Sequence, residues 1–126
     1  MASLPDIVLD ILAEPRSVKI VGTVKNHGMP NLVVISTVAV IDPETIAFAD
    51  ICLGKTKENL LLTGKFTLTV IGSEKKAYQI WCRFVHFENE TPRYRIWYAA
   101  VWRKMVMHLK GIAIAKVEKV CSVKQL

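Results

Sequence analysis

The most specific local pattern in the sequence is the run Ala49-Asp50-Ile51-Cys52-Leu53-Gly54-Lys55-Thr56. It matches the loose form of a phosphate-binding loop with alanine at the first glycine position, and a predicted strand precedes it and a predicted helix follows. The start of a helix attracts anions through its backbone N–H groups and dipole, and Lys55 and Thr56 add a charge and a hydroxyl. The pattern therefore predicts a phosphate contact. A nucleoside triphosphatase is rejected, because Ile51 and Leu53 stand where backbone would wrap the phosphates and no apolar strand ending in a magnesium-binding aspartate follows.

Two adjacent hydroxyl side chains, Ser36 and Thr37, interrupt the apolar run of residues 32–41. We expect this run to form one long strand buried on both faces, because it is nearly continuous and rich in β-branched residues. Hydroxyls at the centre of a buried strand need hydrogen-bond partners. Either the neighbouring backbone or a ligand could supply them.

Aromatic residues are concentrated in the second half of the chain, where eight of the ten lie between Tyr78 and Trp102. Tyr94, Trp97, Tyr98 and Trp102 follow the spacing of one helix face. Packing in the core or at an interface is the favoured interpretation of this face. Stacking against nucleic-acid bases is the alternative, because arginines and a lysine surround these rings.

Side chains in a familiar catalytic arrangement are scarce. His27, His86 and His108 have no serine, cysteine or carboxylate at a known catalytic spacing. The three cysteines are far apart and form no CxxC pair, so we expect reduced thiols that neither bind metal nor form a redox pair. If the chain takes part in chemistry, a bound cofactor is expected to supply it.

The elements that must position these groups fit a single domain spanning residues 1–126. Periodicity and turn signals predict helices at residues 4–13, 55–62 and 91–107, and strands at residues 17–25, 32–41, 45–49, 66–71, 78–87 and 111–123. Thr91 and Pro92 would begin the last helix, and Gly64 would end the middle one. Short turns between most strands predict mainly antiparallel pairing, and a closed or half-closed barrel would remove the exposed edges.

Composition and charge narrow the class of protein further. A hydrophobic fraction of 52% excludes a disordered chain, and a mean hydropathy of +0.30 indicates either a membrane or an apolar subunit interface. No apolar run approaches the ~18 residues of a spanning helix, and no signal peptide is recognised, so we expect a soluble, cytoplasmic protein. Residues 54–126 hold 14 of the 17 basic residues but 5 of the 11 acidic ones. This imbalance suggests either an anionic partner or a solvated basic surface.

The order of these features resembles the FMN-binding split-barrel family, the pyridoxamine phosphate oxidase-like flavoproteins, and is most similar to its small FMN-binding proteins. The resemblance covers most of the chain and is best over residues 18–71. It is carried by Asn26-His27-Gly28-Met29-Pro30-Asn31, by Ile41-Asp42-Pro43-Glu44-Thr45-Ile46-Ala47-Phe48-Ala49-Asp50 and by Gly54-Lys55-Thr56-Lys57-Glu58-Asn59-Leu60, whose Lys-Thr-x-x-Asn segment is the most specific part. The resemblance implies a mainly β (α+β) fold, a six-stranded antiparallel split β-barrel with flanking helices that forms a homodimer.

The resemblance also implies a cofactor and the residues that hold it. One FMN would bind at each end of the dimer interface. By similarity, Lys55 and Thr56 would hold its phosphate, Ile35, Ser36 and Thr37 would line the phosphate and ribityl chain, and Phe48, Ala49, Asp50 and Ile51 would run along the isoalloxazine edge, while Asn59 would support the loop. The chain lacks the extra basic segments with which pyridoxamine phosphate oxidases hold their substrate, so that particular activity is not expected.

The leading hypothesis is therefore a homodimeric FMN-binding flavoprotein, a flavin reductase-like oxidoreductase or electron-transfer protein. Its partner could be a reduced nicotinamide, a small electron carrier or another redox protein. Two alternatives stay open: a split barrel that binds another cofactor, such as a deazaflavin or haem, and a basic β-barrel that binds nucleic acid. We expect no catalytic side chain, no metal site and no membrane contact.

Overall fold

Three helices and seven strands make up the part of the protein that the structure describes. The computed structural model describes residues 2–25, 28–51, 53–74 and 76–123, apart from the side chain of Met105. The elements in chain order are α1 (Asp6–Ala13), β1 (Val18–Val24), β2 (Pro30–Ile35), β3 (Val38–Asp42), β4 (Thr45–Asp50), α2 (Lys55–Thr63), β5 (Lys65–Ile71), β6 (Ala77–Glu88), α3 (Pro92–Met105) and β7 (Gly111–Val123). Asn26, His27 and Cys52, which belong to the predicted turn and loop, lie outside the described residues.

One antiparallel sheet contains all seven strands, in the order β2-β1-β5-β6-β7-β4-β3. Strands β2 and β3 follow each other in the sequence but lie at opposite edges of this sheet, with only Ser36 and Thr37 between them. Three Cα-to-Cα steps span at most about 11 Å, so the sheet must curl until its two edges come close. Register shifts in the β3–β4 and β6–β7 pairs help, because a bulge bends a strand. The result is a barrel whose edge strands β2 and β3 are not paired with each other, a split barrel.

The split β-barrel is confirmed, but the predicted number of six strands is wrong by one. The run of residues 32–41 forms two strands, β2 and β3, because the chain bends at Ser36. The prediction that this run is buried on both faces is also wrong. Leu32 and Val34 are 71% and 70% exposed, since nothing in the described chain covers the outer face of β2.

Two apolar clusters hold the fold together. The larger cluster fills the inside of the curled sheet, where the rings of Phe48 and Phe66 meet edge to face with their centroids 5.5 Å apart. Helix α1 adds Val8, Ile11 and Leu12 to this cluster. The smaller cluster lies on the other face of β4 and β7, where α3 packs. Strand β4 is therefore buried along its whole length.

Helix α3 begins as predicted, with the Thr91 hydroxyl accepting a hydrogen bond from the backbone N–H of Tyr94. The predicted packing face is confirmed for Tyr94, Trp97 and Tyr98, which contact the smaller cluster. It is wrong for Trp102, which is 44% exposed and lies beside the ring of His108 at a centroid distance of 5.0 Å. Val101 completes the packing face instead, since it is 5% exposed and belongs to the smaller cluster, and Trp102 falls at the edge of that face.

The cysteines in the described chain are free thiols. Burial raises the pKa of Cys82 to about 12, with a further contribution from the negative charge of Glu118. A thiol that resists ionisation is a poor nucleophile and metal ligand. Within the described ranges, none of the helices is long and apolar enough to cross a membrane.

Candidate functional site

A groove of about 180 Å³ lies beside the two-residue connection between β2 and β3. It is lined by Val33, Val34, Ile35, Ser36, Thr37, Ala49, Ile51, Leu53 and Met107. Five of the ten predicted cofactor-binding residues are in this set, namely Ile35, Ser36, Thr37, Ala49 and Ile51. The structure thus brings together two predicted segments that are more than ten residues apart in the sequence.

The backbone holds this groove in shape. The N–H of Ala49 donates a hydrogen bond of 3.1 Å to the carbonyl of Thr37, which ties the connection to β4. The carbonyl of Asp50 accepts a bond of 2.8 Å from the N–H of Lys110, which ties the end of β4 to the segment before β7. These two bonds therefore fix the β2–β3 connection and the end of β4, which form part of the groove wall.

The hydroxyls of Ser36 and Thr37 do not lie at the centre of a buried strand, as the sequence predicted. Ser36 is exposed and Thr37 is half-buried, because both residues lie in the bend between two edge strands. Their side chains are consequently accessible from the groove that they line. A ligand in the groove could satisfy them without any rearrangement of a strand.

The start of α2 adjoins this groove through Leu53. Gly54 precedes the helix with a φ of +55°, a conformation that favours glycine, and no side chain caps the helix start. Lys55 has a side chain that is 72% exposed, and its only ion pair in the described chain is with Glu58, at 3.3 Å. Exposed ion pairs of this kind are weak, so the ammonium group of Lys55 is available to an anion.

Thr56 and Asn59 lie on the inner side of α2. Thr56 is fully buried and its hydroxyl accepts a hydrogen bond of 2.8 Å from the amide of Asn31. The amide of Asn59 donates a bond of 3.0 Å to the hydroxyl of buried Thr23. These two bonds attach α2 to β2 and β1, so both side chains position the helix. A phosphate contact by Thr56 stays a prediction.

Asp50, at the end of β4, has a partner that neutralises its charge. Its carboxylate is 2% exposed and forms an ion pair of 2.7 Å with the ammonium group of Lys57. The same ammonium group lies 4.9 Å from the centre of the Phe87 ring, within range of a cation–π interaction. An anionic ligand near the end of β4 would therefore not face an uncompensated carboxylate.

Phe48 differs from its neighbours among the predicted residues. Its side chain is fully buried and belongs to the larger core cluster. Only its backbone could therefore meet a ligand along β4. The predicted contact of residues 48–51 with a flavin edge is compatible with this position and stays a prediction.

Several residues of the site were not identified from the sequence. Lys57, Asn31 and Thr23 form the polar contacts of α2, and Met107 lines the groove from beyond α3. Asn31 offered a signal, since an amide at the start of an apolar run is unusual. Met107 and Lys57 offered none, because their positions depend on how the chain returns to the sheet. In the residues that the structure describes, no three His, Cys, Asp or Glu side chains gather as metal ligands would.

Comparison with known proteins shows which solved structures share this fold. No protein-family model and no curated protein sequence matches the chain. Solved structures match along nearly its whole length. An FMN-binding protein from Syntrophomonas wolfei subsp. wolfei is 21% identical, with a TM-score of 0.78 over 96% of this chain and 92% of that chain.

Two other similar structures have the same architecture. HupZ from Group A Streptococcus is 19% identical, with a TM-score of 0.80 over 95% of this chain and 94% of that chain. HutZ from Vibrio cholerae, described as a haem storage protein, is 12% identical, with a TM-score of 0.64 over 96% and 95%. At these identities the likeness establishes the fold. The chain has the split-barrel fold of the FMN-binding and pyridoxamine phosphate oxidase-like proteins, and the resemblance predicted from the sequence is confirmed at that level.

Proposed function

We propose that this protein is an FMN-binding flavoprotein that takes part in electron or hydride transfer. The observation that carries the proposal is the groove in which Ile35, Ser36, Thr37, Ala49 and Ile51 meet next to the start of α2. A similar fold in a protein described as FMN-binding supports the choice of cofactor. Bound FMN would supply the ring that accepts and passes on electrons.

The residues of the groove and of the adjacent start of α2 suit the three chemical parts of FMN. Lys55 and the start of α2 would hold the phosphate, and the hydroxyls of Ser36 and Thr37 would bond to the ribityl chain. Apolar side chains on the other wall, such as Ile51, would cover the ring and exclude water. Lys57 would keep the carboxylate of Asp50 from repelling the anionic cofactor.

Reconstitution with FMN tests the proposal. We expect the purified protein, or the apoprotein after addition of FMN, to be yellow and to retain one FMN per chain through gel filtration. Reduction of that flavin by a reduced nicotinamide would identify an oxidoreductase, and reduction only by a protein or chemical donor would indicate a carrier. Protein that stays colourless and takes up no added FMN would contradict the proposal.

Haem is the second candidate ligand, because a protein of the same fold is described as a haem storage protein. The same reconstitution experiment, carried out with haem, distinguishes the two cofactors, since haem gives an intense Soret band that flavins lack. A deazaflavin would be recognised by its own absorption and by mass spectrometry of the released cofactor. The proposal stands only if FMN binds more tightly than either.

We further propose that the protein is a homodimer. Helix α3 covers the outer face of β4 and β7, but the outer face of β2, β1, β5 and β6 has no cover in the described chain and contains a depression of about 590 Å³. Its exposed apolar side chains include Val24, Leu32, Val34 and Trp81. An exposed apolar face of this kind is typical of a subunit interface.

The position of Val34 connects this outer face with the cofactor groove. Val34 is 70% exposed on β2 and also lines the groove. The groove, at about 180 Å³, is smaller than the roughly 300–1,000 Å³ of sites that enclose a ligand. A second subunit on the outer face of β2 would supply the missing wall.

Substitution of Leu32 tests the dimer. We expect Leu32→Glu to shift the protein from dimer to monomer in light scattering, because a carboxylate would be buried in an apolar interface, and to weaken FMN binding as well. Ile96→Glu is the matched control, since Ile96 is equally exposed but lies on α3, away from that face. A wild-type protein that is monomeric at micromolar concentration would contradict the dimer, as would equal effects of the two substitutions.

A further inference from the structure

A second cavity lies between the β2–β3 connection and helix α3. Its volume is about 260 Å³, and it is lined by Ser36, Thr37, Trp97, Ala100, Val101 and Lys104. Ser36 and Thr37 also line the groove described above, so the two cavities share one wall. None of the other four residues has a role in the proposed FMN site.

The charge at this cavity is positive. Helix α3 contains four basic residues and no acidic one. Arg93 forms an ion pair with Glu88 at 3.2 Å, whereas Lys104, Arg95 and Arg103 have no carboxylate within ion-pair distance in the described part of the chain. Lys104 is the one of these three that lines the cavity. An ammonium group beside two hydroxyls is a suitable site for a carboxylate.

The shape of the cavity suits a flat ring. Half-buried Trp97 lines the cavity, and its other lining residues on α3 include Ala100 and Val101, whose side chains are small. Aromatic rings pack favourably against an indole in offset or edge-on arrangements. A cavity of ~150 Å³ holds one benzene ring, so this cavity can hold one or two fused rings.

From these observations we infer that the cavity binds a small aromatic carboxylate, with the ring against Trp97 and the carboxylate at Lys104 and the two hydroxyls. Because it shares Ser36 and Thr37 with the cofactor groove, a ligand there lies next to whatever occupies that groove. If FMN occupies the groove, an aromatic carboxylate bound in this cavity lies beside the flavin. This last step rests on the proposed function, whereas the binding site itself does not.

Calorimetric titration with 2-naphthoate tests the site in the apoprotein. We expect the wild-type protein to bind 2-naphthoate, and Lys104→Gln to weaken that binding at least fivefold. Arg95→Gln is the matched control, because Arg95 lies on the same helix and carries the same charge but does not line the cavity. The uncharged analogue 2-naphthamide should bind more weakly than 2-naphthoate to the wild-type protein. Ala100→Leu should abolish binding by filling the cavity, and circular dichroism would confirm that each variant is folded.

Three outcomes would overturn the inference: no binding of 2-naphthoate, equal effects of Lys104→Gln and Arg95→Gln, or equal affinity for the acid and the amide. The same titration in FMN-loaded protein separates this inference from the proposed function. A change in the flavin absorption spectrum on addition of 2-naphthoate, lost in Lys104→Gln, would support adjacent sites. Naphthoate binding without any FMN uptake would contradict the proposed function and leave the anion site standing.

Discussion

Replacement of Lys55 by alanine is expected to weaken FMN binding by about 10- to 100-fold and to leave riboflavin binding unchanged. A hydrogen bond to a charged group is worth about 1.5–3 kcal/mol, which corresponds to that loss of affinity. Riboflavin lacks the phosphate and would not be affected. Titration of each flavin, followed by quenching of its fluorescence, measures both affinities.

A matched control for this experiment is Lys76→Ala. Lys76 also forms an exposed ion pair, at 3.4 Å with Glu74, in a turn far from the groove along the chain. Equal losses for FMN and riboflavin in Lys55→Ala would show that the phosphate is held elsewhere. Thr56 is not suited to the same test, because removal of its hydroxyl also breaks the bond from Asn31 that attaches α2 to β2.

The second large effect concerns stability. We expect Lys57→Met to lower the free energy of unfolding by about 3 kcal/mol, because the carboxylate of Asp50 would stay buried without its partner. Removal of one member of a buried pair typically costs ~3–5 kcal/mol, and the partial exposure of Lys57 places this case at the lower end. Urea denaturation at neutral pH measures the change.

Two further variants test whether loss of the Asp50–Lys57 ion pair causes the decrease in stability. Lys55→Met removes an exposed ion pair in the same helix and should cost less than about 1 kcal/mol. The double substitution Asp50→Asn with Lys57→Met removes both charges and should recover most of the lost stability, since replacement of a whole buried pair is often close to neutral. A Lys57→Met variant no less stable than Lys55→Met would show that the ion pair of Asp50 and Lys57 does not stabilise the fold.

Local signals were sufficient where a structure depends on neighbouring residues. Thr91 and Pro92 predicted the start of α3, and Gly64, with its φ of +70°, predicted the end of α2. The start of α2 at Lys55 was predicted for the same reason, because a glycine between a strand and a helix marks it in the sequence. The contact residues of the proposed FMN site came instead from the resemblance to the split-barrel family, and five of the ten meet at one groove because the sheet curls.

The features that could not be predicted from the sequence depend on the pairing of strands that lie far apart in the chain. The run of residues 32–41 contains no glycine or proline, so nothing in it marked the bend at Ser36 that sends β2 and β3 to opposite edges. The exposure of Leu32 and Val34 was hidden for a related reason. Apolar residues in a strand predict that one of its faces is buried, but they do not predict which surface buries it. No part of the described chain covers Leu32 and Val34.

The pair of Asp50 and Lys57 was not predicted, because a strand end and a helix seven residues later meet only if the intervening loop turns back. The same is true of the contact between Trp102 and His108, which depends on the return of the chain after α3. In both cases a loop brings the two side chains together, and sequence periodicity does not predict the path of a loop.

The position of Ser36 and Thr37 has a thermodynamic consequence. They connect the two unpaired edges of the barrel, so a ligand that contacts both of them contacts the end of β2 and the start of β3 at once. Binding to the native state alone adds stability of RT ln(1 + [L]/Kd), about 2.7 kcal/mol when the ligand is present at 100 times its Kd. A ligand in this groove would therefore hold the edge strands β2 and β3 together. The free energy of unfolding of the whole barrel would then increase with the concentration of that ligand.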